Sequence, residues 1–200
     1  MRALVEAAAS PDYPAEIALV LSNRPDAEGL IYAKARGVPV AAVDHKIHGS
    51  RDEFEAVVQR LLDLHRIELI CLAGFMRLLT PSFVGRWSGR MINIHPSLLP
   101  SYRGLRTHER ALADGVKIHG CTVHYVVPDV DAGPIIAQAA IAVREDDDAD
   151  SLAARVLEQE HVLYPRALRL VASGAAKVAG GRVIGSDGDD VKAGALLAGA

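Results

Sequence analysis

Cysteine is nearly absent from this sequence: Cys71 and Cys121 are the only two, and neither has a second cysteine near it or the spacing of a metal site. That leaves no basis for a disulfide framework or a cysteine-ligated zinc, and because both lie inside apolar runs they read as reduced thiols buried in strands. Positive charge is not in excess either. Lys and Arg total 22 against 25 Asp and Glu, a net charge of -3, so the basic surface on which nucleic-acid binding depends is not expected. No apolar run is long enough to span a membrane, and Met1 to Ser10 lacks the basic and apolar blocks of a signal peptide, which makes the cytoplasm the expected compartment. A Gly-x-Ser-x-Gly elbow, a His-Glu-x-x-His pair and a Cys-x-x-Cys pair are all missing, so serine-hydrolase and zinc-hydrolase readings lack support and no metal is expected.

What is present is enough apolar material for one well-filled core: 200 residues, half of them apolar, predict a single domain. Apolar strand-like runs alternate with segments of helical period, the pattern of an α/β, doubly wound, mostly parallel sheet. Helices are expected at Arg2 to Ala9, Glu28 to Arg36, Ser50 to His65, from Pro81, near His108 to Leu112, and from Ser151 with a kink at Pro165. Ser50-Arg51-Asp52-Glu53 has the spacing of a capping box. Strands are expected at Glu16 to Leu21, Val38 to Val43, Ile67 to Ala73, up to His95, Gly120 to Val127 and Ile135 to Val143, with a hairpin between Lys177 and Ile184 turned by Gly180-Gly181. From Gly185 onward Gly, Asp and Ala dominate without periodicity. The domain is therefore placed at 1–184 and a disordered tail at 185–200.

The chemistry concentrates where the run Met91-Ile92-Asn93-Ile94-His95 ends in Pro96. Ligands bind at the carboxyl ends of strands in such sheets, and a spacing of two puts Asn93 and His95 on one face. A carboxylate arrives later, in Asp129-Val130-Asp131-Ala132-Gly133-Pro134. Amide, imidazole and carboxylate form a proton-transfer set without a nucleophile. His124 fits a strand residue satisfied by a neighbour, and His45, His48, His65 and His119 read as surface or loop residues.

The block Asn93 to Pro100, with Leu72-Ala73-Gly74-Phe75-Met76-Arg77-Leu78-Leu79 before it and Gly120 to His124 and Asp131 to Pro134 after it, resembles the folate-dependent formyltransferase family. The likeness runs from Met1 to about Ile184. Leu19 to Leu30 and Gly104 to Leu112 are similar to the branch acting on glycinamide ribonucleotide in purine synthesis. The resemblance implies transfer of the formyl group of 10-formyltetrahydrofolate, as co-substrate, to that nucleotide's amine, with small-molecule substrates as partners and neither nucleic acid nor membrane. It implies a catalytic set of Asn93, His95 and Asp131. Met76, Arg77, Leu78 and Leu79 would line the folate pocket with Asn93 and Val126, Arg51 would lie near the folate's glutamate tail, and Glu160 would hold the nucleotide's ribose. Transfer to an amine passes through a tetrahedral oxyanion, which the Asn93 amide and a protonated His95 can stabilise, while Asp131 favours the imidazolium and takes the amine's proton.

One departure stands at the front. The family's first strand and its Gly-rich phosphate loop have no counterpart here, and Met1-Arg2-Ala3-Leu4 aligns with the helix that follows them, a difference of roughly a dozen residues, the size of one strand and turn. The alternative readings are an inactive, N-terminally truncated fragment, or a related folate-dependent formyltransferase or deformylase.

Overall fold

The computed structural model describes residues 1–185; the tail expected at 185–200 lies outside the described residues except for Gly185. The chain opens on α1 (Arg2–Ala7), then β1 (Val20–Ser22), α2 (Glu28–Lys34), β2 (Val40–Ala42), α3 (Arg51–Leu64), β3 (Ile70–Leu72), α4 (Pro81–Arg86) and β4 (Met91–His95). It continues through α5 (Thr107–Ala113), β5 (Ile118–Tyr125), β6 (Ile135–Ala142), α6 (Ala149–Ala172) and a hairpin of β7 (Lys177–Ala179) and β8 (Arg182–Ile184). The α/β reading holds, with parallel pairing of β1 to β2 and of β3 to β4. Beyond β4 the sheet turns antiparallel: its order is β3-β4-β5-β6, and the last two pairings run antiparallel.

Alternation along β4 feeds two cores. Ile92 packs into a cluster with Cys121, Val123 and Tyr125 of β5, Leu152, Val156 and Leu168 of α6, and Leu4 of α1. Its neighbour Met91 points the other way, into Phe54, Val58 and Leu62 of α3 and Phe83 and Trp87 beside α4. Helices therefore cover both faces, and each fully buried large apolar side chain contributes roughly 1.5–3 kcal/mol.

Several local expectations shift. The short strands are trimmed to three residues. At α3 the Ser50 hydroxyl accepts from the Glu53 N–H as a capping box requires, but Glu53 answers to the N–H of Gly49 rather than Ser50. A reciprocal box forms instead at α6, between Asp148 and Ser151. That helix continues through Pro165, whose carbonyl accepts a hydrogen bond from the Tyr13 hydroxyl.

Among the described residues β1 pairs only with β2, and β3 only with β4. Between them runs a slot of about 730 Å³ lined by residues 14–23 and 66–75, with Leu4 and Val5 of α1 and Val171 and Ala172 of α6 among the helical residues of its walls. Met1 also lines it, and burial lowers the pKa of its amine against the opposing pull of Cys71 and Glu160.

Candidate active site

Asn93 and His95 occupy the same face of β4, as their spacing requires, and the antiparallel register sets Asn93 opposite His124 and His95 opposite Thr122 on β5. The ladder between β5 and β6 slips at Val123/His124. Bulges of this kind re-aim a side chain next to a site. Here His124 stands with its Nε2 3.4 Å from the Asn93 amide nitrogen.

Asp131 arrives from the loop after β5. Its backbone is left-handed (φ 49°), a conformation that costs a non-glycine residue roughly 1–3 kcal/mol. The loop's exit is pinned: the Tyr125 N–H donates to the Pro134 carbonyl at 2.9 Å, and a Cβ on Gly133 would stand 1.8 Å from the Tyr125 carbonyl oxygen, so only glycine fits. Held in this way, the Asp131 carboxylate serves three elements. Its Oδ2 lies 3.3 Å from His95 Nδ1 and accepts the Gly104 N–H at 2.9 Å, and its Oδ1 lies 3.7 Å from His124 Nε2.

The two imidazoles on this carboxylate differ in role. His95 Nε2 donates to the Tyr102 carbonyl at 3.0 Å while Nδ1 faces Asp131, so both ring nitrogens meet acceptors, an arrangement that the doubly protonated ring satisfies. His124 Nδ1 instead donates to the Tyr125 carbonyl at 2.9 Å, and its Nε2 is left to accept from Asn93. Burial lowers the pKa of His124, which keeps that ring neutral. Asn93 is thereby oriented by a neutral histidine, with one amide hydrogen to spare.

The strand's exit is rigid. The Thr122 hydroxyl donates to the Ser97 carbonyl and accepts from the Leu99 N–H and from Gln138, which also donates to the Leu99 carbonyl. Behind His95, His119 Nε2 lies 3.2 Å from His108 Nδ1. The placing of His119 at the surface is corrected: it is 1% exposed, because β5 is buried along nearly its whole length, and desolvation with the neighbouring His108 pushes its pKa down to about 4.

The remaining expected residues divide. Leu79 and Val126 pack in one cluster with Phe75 and Leu72, beside the carboxyl end of β3. Met76 and Leu78 project outward at 76% and 63% exposure, with Arg77 half-buried between them. Arg51 is the exposed first residue of α3. Glu160, half-buried on α6, faces the Met1 amine, and burial pushes its pKa up to about 7. Sequence reasoning missed the Gly104 N–H, the Tyr102 carbonyl and the part played by His124. The one usable signal was that His124, like Asn93, lies in a strand beside the Asp131 loop. Among the described residues no group of three His, Cys, Asp or Glu is placed to hold a metal ion.

The set can hold a proton, place it and donate to an oxyanion, and it contains no nucleophile. Residues 1–168 match the model of a family described as formyl transferase. The trifunctional purine biosynthetic protein adenosine-3 of Gallus gallus is 49% identical over 89% of this chain, which spans only 18% of that protein's length. The phosphoribosylglycinamide formyltransferase of Haemophilus influenzae is 40% identical over 87% of this chain and 82% of its own. The crystal structure of glycinamide ribonucleotide transformylase 1 from Symbiobacterium toebii superposes with a TM-score of 0.89 at 41% identity, covering 93% of this chain and 88% of that one.

Proposed function

Because the chain belongs to the formyl transferase family, we propose that it transfers the formyl group of 10-formyltetrahydrofolate to the amine of glycinamide ribonucleotide, a step of purine biosynthesis carried out in the cytoplasm. The observation that carries this reading is the Asp131 carboxylate, held by the Gly104 N–H against His95, with Asn93 on the same face of β4.

The neutral amine attacks the formyl carbon, forming the new C–N bond and a tetrahedral centre that carries an oxyanion and an ammonium. The Asn93 amide and the His95 cation donate to that oxyanion; preorganised donors of this kind are the largest single contribution in acyl transfer. Asp131 accepts the ammonium's proton. Collapse re-forms the carbonyl, breaks the bond to the folate nitrogen, and returns one proton to that nitrogen. Met76, Arg77, Leu78, Leu79 and Val126 receive the folate, Arg51 meets its anionic tail, and Glu160 receives the ribose.

A direct assay separates this from the neighbouring chemistries. Purified protein with 10-formyltetrahydrofolate and glycinamide ribonucleotide should give N-formylated nucleotide in step with tetrahydrofolate. Formate released at the same rate without any amine would instead make the protein a deformylase, and absence of both products would reject the reading.

A further inference from the structure

Glu55 is an acid sealed in the interior: it sits on the buried face of α3 between Phe54 and Val58 and is 5% exposed. A buried carboxylate is costly unless its oxygens are fully engaged. Both are. One accepts the Thr80 N–H at 2.7 Å and the other accepts the Thr80 hydroxyl. That hydroxyl in turn accepts the Phe83 N–H at 3.2 Å, capping α4.

Thr80 is also the last residue of the connection from β3. That connection turns at Gly74, in a left-handed conformation (φ 68°), anchors Phe75 and Leu79 in the core, and carries the outward-facing Met76 and Leu78 with the half-buried Arg77 between them. A loop with its side chains turned outward in this way holds one shape only if both its ends are fixed. The first end is fixed by β3; the second is fixed by a carboxylate reaching across from a different helix, 25 residues earlier.

We propose that Glu55 is a positioning residue for the folate subsite: through Thr80 it fixes the carboxyl end of the 75–79 loop and so the placement of Met76, Arg77 and Leu78. The inference rests on the functional reading above for the identity of the ligand. It makes no claim on the reacting atoms. Glu55 acts on binding of one substrate and not on the chemical step.

The test is a split between substrates. In Glu55→Ala the Thr80 N–H and hydroxyl lose their acceptors, and the Kd and KM for the folate should rise about tenfold or more, given the cost of a buried unsatisfied donor. The kcat and the KM for glycinamide ribonucleotide should stay within about threefold. Thr80→Val, which keeps the N–H and removes the hydroxyl, should show part of the effect, and Thr80→Ser, which keeps both donors, should regain most of it. A simple loss of stability would weaken both substrates together and follow the melting temperature. Should Glu55→Ala fail to fold, Glu55→Gln and Thr80→Val carry the same readout with smaller disruption.

A folded Glu55 variant with unchanged folate Kd and KM overturns the proposal, as does one in which both substrates weaken equally. Wild-type protein that binds the folate and transfers nothing overturns the activity reading alone, with the variant's folate Kd still deciding the role of Glu55. Wild-type protein that binds no folate overturns both.

Discussion

At the scale of the residue, two buried histidines lie against one carboxylate and differ in their other partners. His95 presents both nitrogens to acceptors, whereas His124 spends its single proton on the Tyr125 carbonyl. On the proposed mechanism His95→Ala removes a donor to the oxyanion that exists only in the transition state, so kcat should fall roughly a hundredfold to a thousandfold while folate Kd moves little. Steady-state kinetics paired with calorimetry checks it; a near-wild-type kcat would take His95 out of the mechanism. Asp131→Asn is the informative partner, because Asn tolerates the left-handed backbone as Asp does. It keeps the shape and removes the proton acceptor, so kcat should drop with the fold and folate binding intact.

At the scale of the element, the site is placed by the meeting of β4, β5 and the loop that returns to β5 at Pro134. Gly133 is the hinge of that return, and a methyl group there collides with the backbone of Tyr125. Gly133→Ala should therefore push Asp131 off His95 and lower kcat about a hundredfold, a loss in keeping with a misplacement near 1 Å, together with a lower melting temperature. Kinetics and a crystal structure of the variant would show it, and unchanged kcat would mean that the loop is positioned by other contacts. Much of this was legible beforehand. Asn93 and His95 announce themselves because an apolar run seldom ends in an amide and an imidazole, and the Asp131-Ala132-Gly133-Pro134 turn marks its own sharp bend. The antiparallel turn of the sheet at β5 was not legible, since a buried run such as Ile118–Tyr125 reads alike in either direction. Nor was the burial of His119, which depends on the covering of both faces of β5. Glu55 was hidden in plain view. Phe54, Glu55, Val58 and Leu62 form one helical face, and an acid among three apolar residues there signals a partner elsewhere in the chain.

At the scale of the whole molecule, two opposed groups of buried titrations shape stability. His119 titrates at about 4 in the fold and near 6.5 when unfolded, with His108 and His124 lowered in the same direction by burial. Between those pH values the unfolded chain holds protons that the folded one refuses, so stability rises with pH and is complete above 6.5. Glu160 runs the other way: raised to about 7 from 4.5, it keeps its proton in the fold after the unfolded chain has lost it, so its contribution is present below 4.5 and lost as pH rises through 7. Over pH 4.5 to 7 the Glu160 loss runs against the histidine gain, so the wild-type melting temperature should change less between pH 4 and 6.5 than that of Glu160→Gln, which should climb by ~5–10 °C. A flat profile in Glu160→Gln would reject the buried-histidine account. The slot between β1 and β3 gives the second prediction at this scale. Fusing a five-residue apolar strand, ~17 Å long, and a glycine-containing turn ahead of Met1 should raise the melting temperature and slow amide exchange in β1 and β3; unchanged exchange there would show that the slot takes no strand. The same slot has a colloidal side. Among the described residues no strand pairs with the facing edges of β1 and β3, and open strand edges of this kind template an extended segment of a neighbouring molecule. Rising concentration should therefore tell first at this trench, whose rim reaches Phe75 and Leu79.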